Sequence, residues 1–170
     1  FNGVTLNLSA VTAFGNADTD VVVANRITTR GSMTIDTGTG VDYVNVLGSR
    51  IGDDARDNLI VRTGSGDDQV LIKDSGQFTS VSGHLYIRTY ESLSENGADI
   101  VTLENVNVFK DLSVMLGGGS DILNLTQVAA GSDIVFSGDA GDDRVTLNSV
   151  RATDDFWVFL AEGTDFLDIK

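Results

Sequence analysis

One frame recurs along the chain, G-x-D-x-Φ-x-Φ with Φ apolar, and it limits what the chain can fold into more than any other feature. Its clearest copy is Gly141-Asp142-Asp143-Arg144-Val145-Thr146-Leu147. The same frame is anchored on Asp42, Asp68, Asp99, Asp121 and Asp165, with looser copies at Asp20-x-Val22-x-Ala24 and Asn2-x-Val4-x-Leu6. Successive anchors are 18, 22, 26, 31, 22, 22 and 22 residues apart. The unit is therefore 22 residues, with a short first copy and insertions in the middle. A unit this small cannot bury an apolar face alone; it does so by stacking on its neighbours.

Each unit carries two strand patterns. One follows the anchor, with apolar residues at +2 and +4. The other lies near +13, +15 and +17, as in Met33-x-Ile35-x-Thr37, Leu112-x-Val114-x-Leu116 and Phe156-x-Val158-x-Leu160. With four inserted residues allowed for, Leu59-x-Val61-x-Thr63 and Leu85-x-Ile87-x-Thr89 join the series. A lone apolar residue near +7 (Ile27, Val106, Val128, Val150) marks a third, very short strand. Alternation with period two is a strand buried on one face, and no window keeps a helical period of 3.6.

These patterns predict an all-β fold: a single-stack parallel β-solenoid (a right-handed β-helix) of seven to eight coils, about 22 residues each, with residues 1–170 as one domain. Right-handedness is expected because β-crossover connections overwhelmingly are. Equivalent apolar residues should stack at roughly 4.8 Å. Glycine two places before the anchor meets a corner's need for positive φ or close backbone approach. The anchor Asp can then accept backbone N–H groups, as in an Asx turn. A second polar column, Ser32, Asn58, His84, Asp111, Asp133 and Asp155, punctuates the other corner. Insertions at residues 49–56 and 74–81 fall at matching places and should lie side by side, and residues 91–95 lengthen the opposite corner. Insertions in solenoids gather on one face, often the one used for binding.

The net charge of −14 argues against nucleic acid as a partner, since phosphate binding needs clustered cations. No run of about 20 apolar residues is present, so no helical membrane insertion is expected. The absence of cysteine excludes thiolate metal sites, thiol catalysis and disulfides. The chain begins on Phe1 and stops within a repeat at Lys170, which reads as an excerpt of something longer.

The corners Gly38-Thr39-Gly40-Val41-Asp42, Gly64-Ser65-Gly66-Asp67-Asp68 and Gly117-Gly118-Gly119-Ser120-Asp121 resemble the RTX calcium-binding nonapeptide, G-G-x-G-x-D-x-U-x. More broadly, the whole chain is similar to repeat segments of large bacterial secreted and surface proteins. No copy has all three RTX glycines, and the motif returns every 22 residues instead of every nine. The resemblance implies Ca2+ held between stacked turns by backbone carbonyls and by Asp42, Asp68, Asp99, Asp121, Asp143 and Asp165, with Asp67, Asp139 and Asp142 adding oxygens. The alternative is that the aspartates only tie corners by hydrogen bonds. The resemblance also implies an extracellular or cell-surface setting and a non-enzymatic structural or adhesive role.

A rival role is a carbohydrate-binding or polysaccharide-degrading β-helix using the inserted middle coils. Asp36, Arg62 and Arg88 share one outward register, with Tyr86 and His84 beside them, so this face could meet acidic surface glycans. An Asp36–Arg62 ion-pair ladder explains the same residues. Finally, Phe156-Trp157-Val158-Phe159-Leu160 breaks the alternation, so that Trp157 and Phe159 point outward, joined by Phe166. This end is expected to be covered, by a neighbouring domain of the same protein or by another copy of the chain.

Overall fold

The computed structural model describes residues 5–6, 10–92 and 96–170. Asn2 and Val4 of the first copy, and residues 93–95 of the third insertion, lie outside them; Leu6, which that copy places beside Ala24, pairs instead with Thr29 in the third ladder. The described chain is all-β and without helix, a parallel β-solenoid of about 7 turns.

Three parallel ladders run along the stack. The first holds the strands after each anchor: Val21–Asn25, Tyr43–Leu47, Gln69–Lys73, Ile100–Val108, Ile122–Ala130, Arg144–Asn148 and Phe166–Ile169. The second holds Ala10–Asn16, Ser32–Gly38, Leu59–Arg62, Leu85–Arg88, Leu112–Met115, Ile134–Ser137 and Phe156–Phe159. The third is the short one foreseen near +7. It runs through Thr28–Thr29, Arg50–Ile51 and Thr79–Val81, then the distal halves of the two nine-residue strands, then Arg151–Ala152.

The register follows the repeat. Val44 pairs with Val70, Val70 with Val101, Val101 with Leu123 and Leu123 with Val145. Leu59, Leu85, Leu112, Ile134 and Phe156 likewise stack in one column. Apart from Phe156 in the last coil, these side chains are buried and form one continuous core. A polar residue between two inward apolar ones points to solvent, so each strand buries only one face.

A further corner was not foreseen. Arg26, Gly48, Asn105, Gln127 and Ser149 all adopt left-handed φ of 51 to 57°. Each sits six residues after its anchor and turns the chain from the first ladder into the third. Such φ costs a residue with a Cβ on the order of 1 kcal/mol. It is held by the stack: Arg26 N–H donates to the Leu47 carbonyl at 2.7 Å, and Ser149 N–H to the Lys170 carbonyl at 3.2 Å.

The insertions at residues 49–56 and 74–81 do lie side by side. Arg50 pairs with Ser80 and Ile51 with Val81 in the third ladder. The Ser82 hydroxyl donates to the Gly52 carbonyl at 2.8 Å, and the Asp57 carboxylate accepts from the N–H groups of Asp53 and Asp54. The lengthened coils thus extend the third face without interrupting the core.

Candidate functional site

The anchor aspartates form one column inside the corner. Asp42, Asp68, Asp99, Asp121 and Asp143 are buried, none more than 2% exposed. Each reaches back one coil. Asp20 N–H donates to Asp42 Oδ1 at 2.8 Å, Asp42 N–H to Asp68, and Asp68 N–H to Asp99, also at 2.8 Å. Asp99 N–H donates to Asp121 at 2.8 Å, Asp121 N–H to Asp143 and Asp143 N–H to Asp165 at 3.0 Å. The sequence predicts that the aspartates accept from nearby backbone N–H groups, as in an Asx turn; in the structure the donor belongs to the preceding coil. This binds each described anchor, from Asp20 to Asp165, to the next.

Only one oxygen of each carboxylate is used this way. The Oδ2 atoms of Asp42, Asp68, Asp121 and Asp143 are buried without a hydrogen-bond partner. A buried carboxylate in that position is costly when ionised. Burial is the main cause that raises Asp99 and Asp121 to about 7 and Asp68 and Asp143 to about 6. The donated backbone N–H lowers each one, as do the Thr63 and Thr89 hydroxyls at Asp68 and Asp99, while neighbouring carboxylates of the same and adjacent coils add to the rise.

Calcium takes about six to eight oxygen ligands. Among the described residues, no three acidic side chains are grouped to share a cation. The corner backbone is also packed tightly: a Cβ on Gly66 would lie 1.7 Å from the Gly40 carbonyl, and one on Gly141 1.8 Å from that of Gly119. Asp142 lies outside the column, accepting the Thr164 N–H at 2.8 Å, as Asp67 accepts that of Ala98. Asp139 takes the place of a corner glycine, with φ of 62° and its carboxylate bound to the Ser137 hydroxyl.

The second corner column runs in the opposite sense. His84 N–H donates to Asn58 Oδ1 at 2.8 Å, Asp133 N–H to Asp111 and Asp155 N–H to Asp133. His84 belongs to this column, with Nδ1 2.9 Å from an Asp111 oxygen and its ring stacked on Tyr86. The outward register of Asp36, Arg62 and Arg88 is as expected. Arg62 stands 3.9 Å from Asp36, at an exposed pair that adds little stability. Arg88 lies over the Tyr90 ring. The hollow between them is small, about 180 Å³.

A larger feature lies on the third face. Three hollows of about 620, 600 and 200 Å³ follow one another along the stack, the first two meeting at Arg50 and Ser80 and the last two at Asn107 and Phe109, making one groove. The expectation that insertions gather on a binding face pointed toward this side, but not to Lys110, Phe109 or Arg151. The shared position of Arg50 and Arg151, eight residues after their anchors, is the signal that could have done so.

At the far end, Trp157 and Phe159 point outward, 50% and 51% exposed, with rings nearly parallel. Phe166 is also exposed and lies under the Arg144 guanidinium. Phe156, Leu167 and Ile169 occupy core registers yet are exposed as well, because no described coil follows them. No protein-family model, curated protein or solved structure matches this chain.

Proposed function

We propose that this chain is a structural, non-enzymatic repeat segment of an extracellular or cell-surface bacterial protein, a stiff spacer that presents what it is joined to. The observation that supports this reading is the unbroken set of six Asp-to-Asp links, which ties each described anchor to the next. A stack of this kind transmits load through neighbour contacts alone. The tie is made by backbone N–H groups, so in this account stiffness does not depend on calcium.

Small-angle scattering and thermal melts in EDTA and in millimolar calcium, at matched ionic strength, test both parts. An ion bound only by the folded state raises the midpoint by mass action. The expected result is the same elongated scattering profile and a midpoint unchanged within about 2 °C. A compact profile contradicts the spacer. A midpoint that climbs with calcium makes the corner an ion site.

The exposed core of the last coil is the place where a neighbouring part of the same protein, or a second copy, packs. Parallel edges with apolar residues in core registers invite pairing. Trp157 emission in the isolated chain should therefore shift to the blue as protein concentration rises. Emission of a solvated indole that ignores concentration speaks against a second copy and leaves a joined segment as the cover.

A further inference from the structure

We propose that the groove on the third face binds a strand of acidic polysaccharide. This goes beyond the spacer role, which stands or falls on scattering and calcium independence whatever the groove binds. The floor of the groove is a column of the third ladder: Thr28, Arg50, Ser80, Asn107, Ala129 and Arg151 pair in succession. Short side chains between the two arginines keep it concave. The inserted segments and Phe109 form its walls.

The charge on this face departs from that of the molecule. Arg26, Arg50, Lys110 and Arg151 line the groove against two acids, Asp53 and Asp54, on a chain of net charge −14. None of these four cations makes an ion pair among the described residues. Only Arg26 is engaged, through a 3.1 Å hydrogen bond to the Ser75 carbonyl. Unpaired cations gathered on one face of an acidic protein mark an anionic ligand.

The spacing selects the class of anion. Arg50 and Arg151 are four ladder steps apart, roughly 19 Å at the inter-strand spacing. Nucleic acid, with a charge every ~1.7 Å of duplex, would meet mostly neutral floor and the two wall aspartates. A polymer with sparse carboxylates or sulfates and hydroxyls between them matches better. Ser80, Ser82 and Asn107 offer hydrogen bonds to hydroxyls. Phe78 and Phe109, 60% and 63% exposed, offer flat apolar faces to sugar rings. The hollows are open to solvent and follow one another along the axis, as a chain-like ligand requires.

The test is binding of the whole chain at low salt to polygalacturonate and to a sulfated galactan, with neutral amylose, single-stranded DNA and polyglutamate as controls. Binding to at least one acidic glycan, weakened about tenfold or more by raising salt from roughly 50 to 300 mM, is expected. The double variant Arg50→Ala/Lys110→Ala should lose at least about tenfold, and Phe109→Ala about fivefold. Arg62→Ala/Arg88→Ala should change it less than about twofold. All these side chains are exposed, and a melt of each variant confirms folding; Lys110→Glu serves if the double variant is unstable. No binding to either acidic glycan overturns the proposal, as does binding that the groove variants leave intact. Equal or tighter binding of DNA or polyglutamate overturns the ligand class.

Discussion

Replacing Gly141 by alanine should destabilise the fold by on the order of 3–5 kcal/mol, lowering the thermal midpoint by roughly 10 °C. Two costs coincide at this corner. Gly141 has φ of +134°, where a side chain is strained, and an added Cβ would lie 1.8 Å from the Gly119 carbonyl oxygen. That oxygen is backbone of the preceding coil and cannot swing aside, so relief requires prising two coils apart. The same displacement would stretch the Asp121 N–H bond to Asp143, two residues further on. Gly76 is the matched control: φ is +80°, but a Cβ there meets nothing within 4 Å. Gly76→Ala should cost only about 1 kcal/mol, the conformational part alone. Equal losses at both sites would show that coil-to-coil contact is not what the corner glycines serve.

The second large effect is on pH. Four column carboxyls have folded-state values of about 6 to 7 against 3.8 when unfolded. The folded state therefore holds protons that the unfolded state releases. Stability is greatest near and below the unfolded value and is lost as pH rises through 6 and 7. The chain should melt higher at pH 5 than at pH 8, opposite to a protein whose carboxylates sit in salt bridges. Relief of the overall negative charge acts in the same direction, so a variant must separate the two. Asp121→Asn keeps an oxygen for the Asp99 N–H and removes one buried charge. At pH 8 it should raise the midpoint by several degrees, since the buried charge that the folded state must carry there is gone. Its pH dependence should be shallower than that of the parent. A fall in midpoint at pH 8 would mean that the ionised carboxylate is well solvated or partnered.

Both effects come from positions that the repeat marks, yet only part of their role is visible in the sequence. The inward columns are legible because alternation over Val44-x-Val46 or Leu123-x-Leu125 permits only one buried face. The third strand is legible through Ile27, Val106 and Val128. The left-handed corner is not: of Arg26, Gly48, Asn105, Gln127 and Ser149, only glycine and asparagine favour that conformation by themselves. The carbonyls of the next coil impose it on the others. Likewise, an aspartate beside a glycine corner looks the same whether it bonds within its turn or one coil away. The choice is made by stacking, which sequence spacing does not display. The groove escaped for a related reason. Lys110 and Arg50 hold different positions in their repeats, and the extra residues of the inserted coils bring them to one wall-and-floor arrangement.

The buried, half-satisfied carboxylate column is the centre of this account, and carboxyl-carbon NMR of the aspartates from pH 3 to 9 tests it most directly. The account predicts that Asp68, Asp99, Asp121 and Asp143 titrate well above the ordinary carboxylate range, near 6 to 7, and that the Asp121 signal vanishes cleanly in Asp121→Asn. Titration of all four near pH 4, as exposed aspartates show, would contradict the inward placement on which the coil-to-coil links depend.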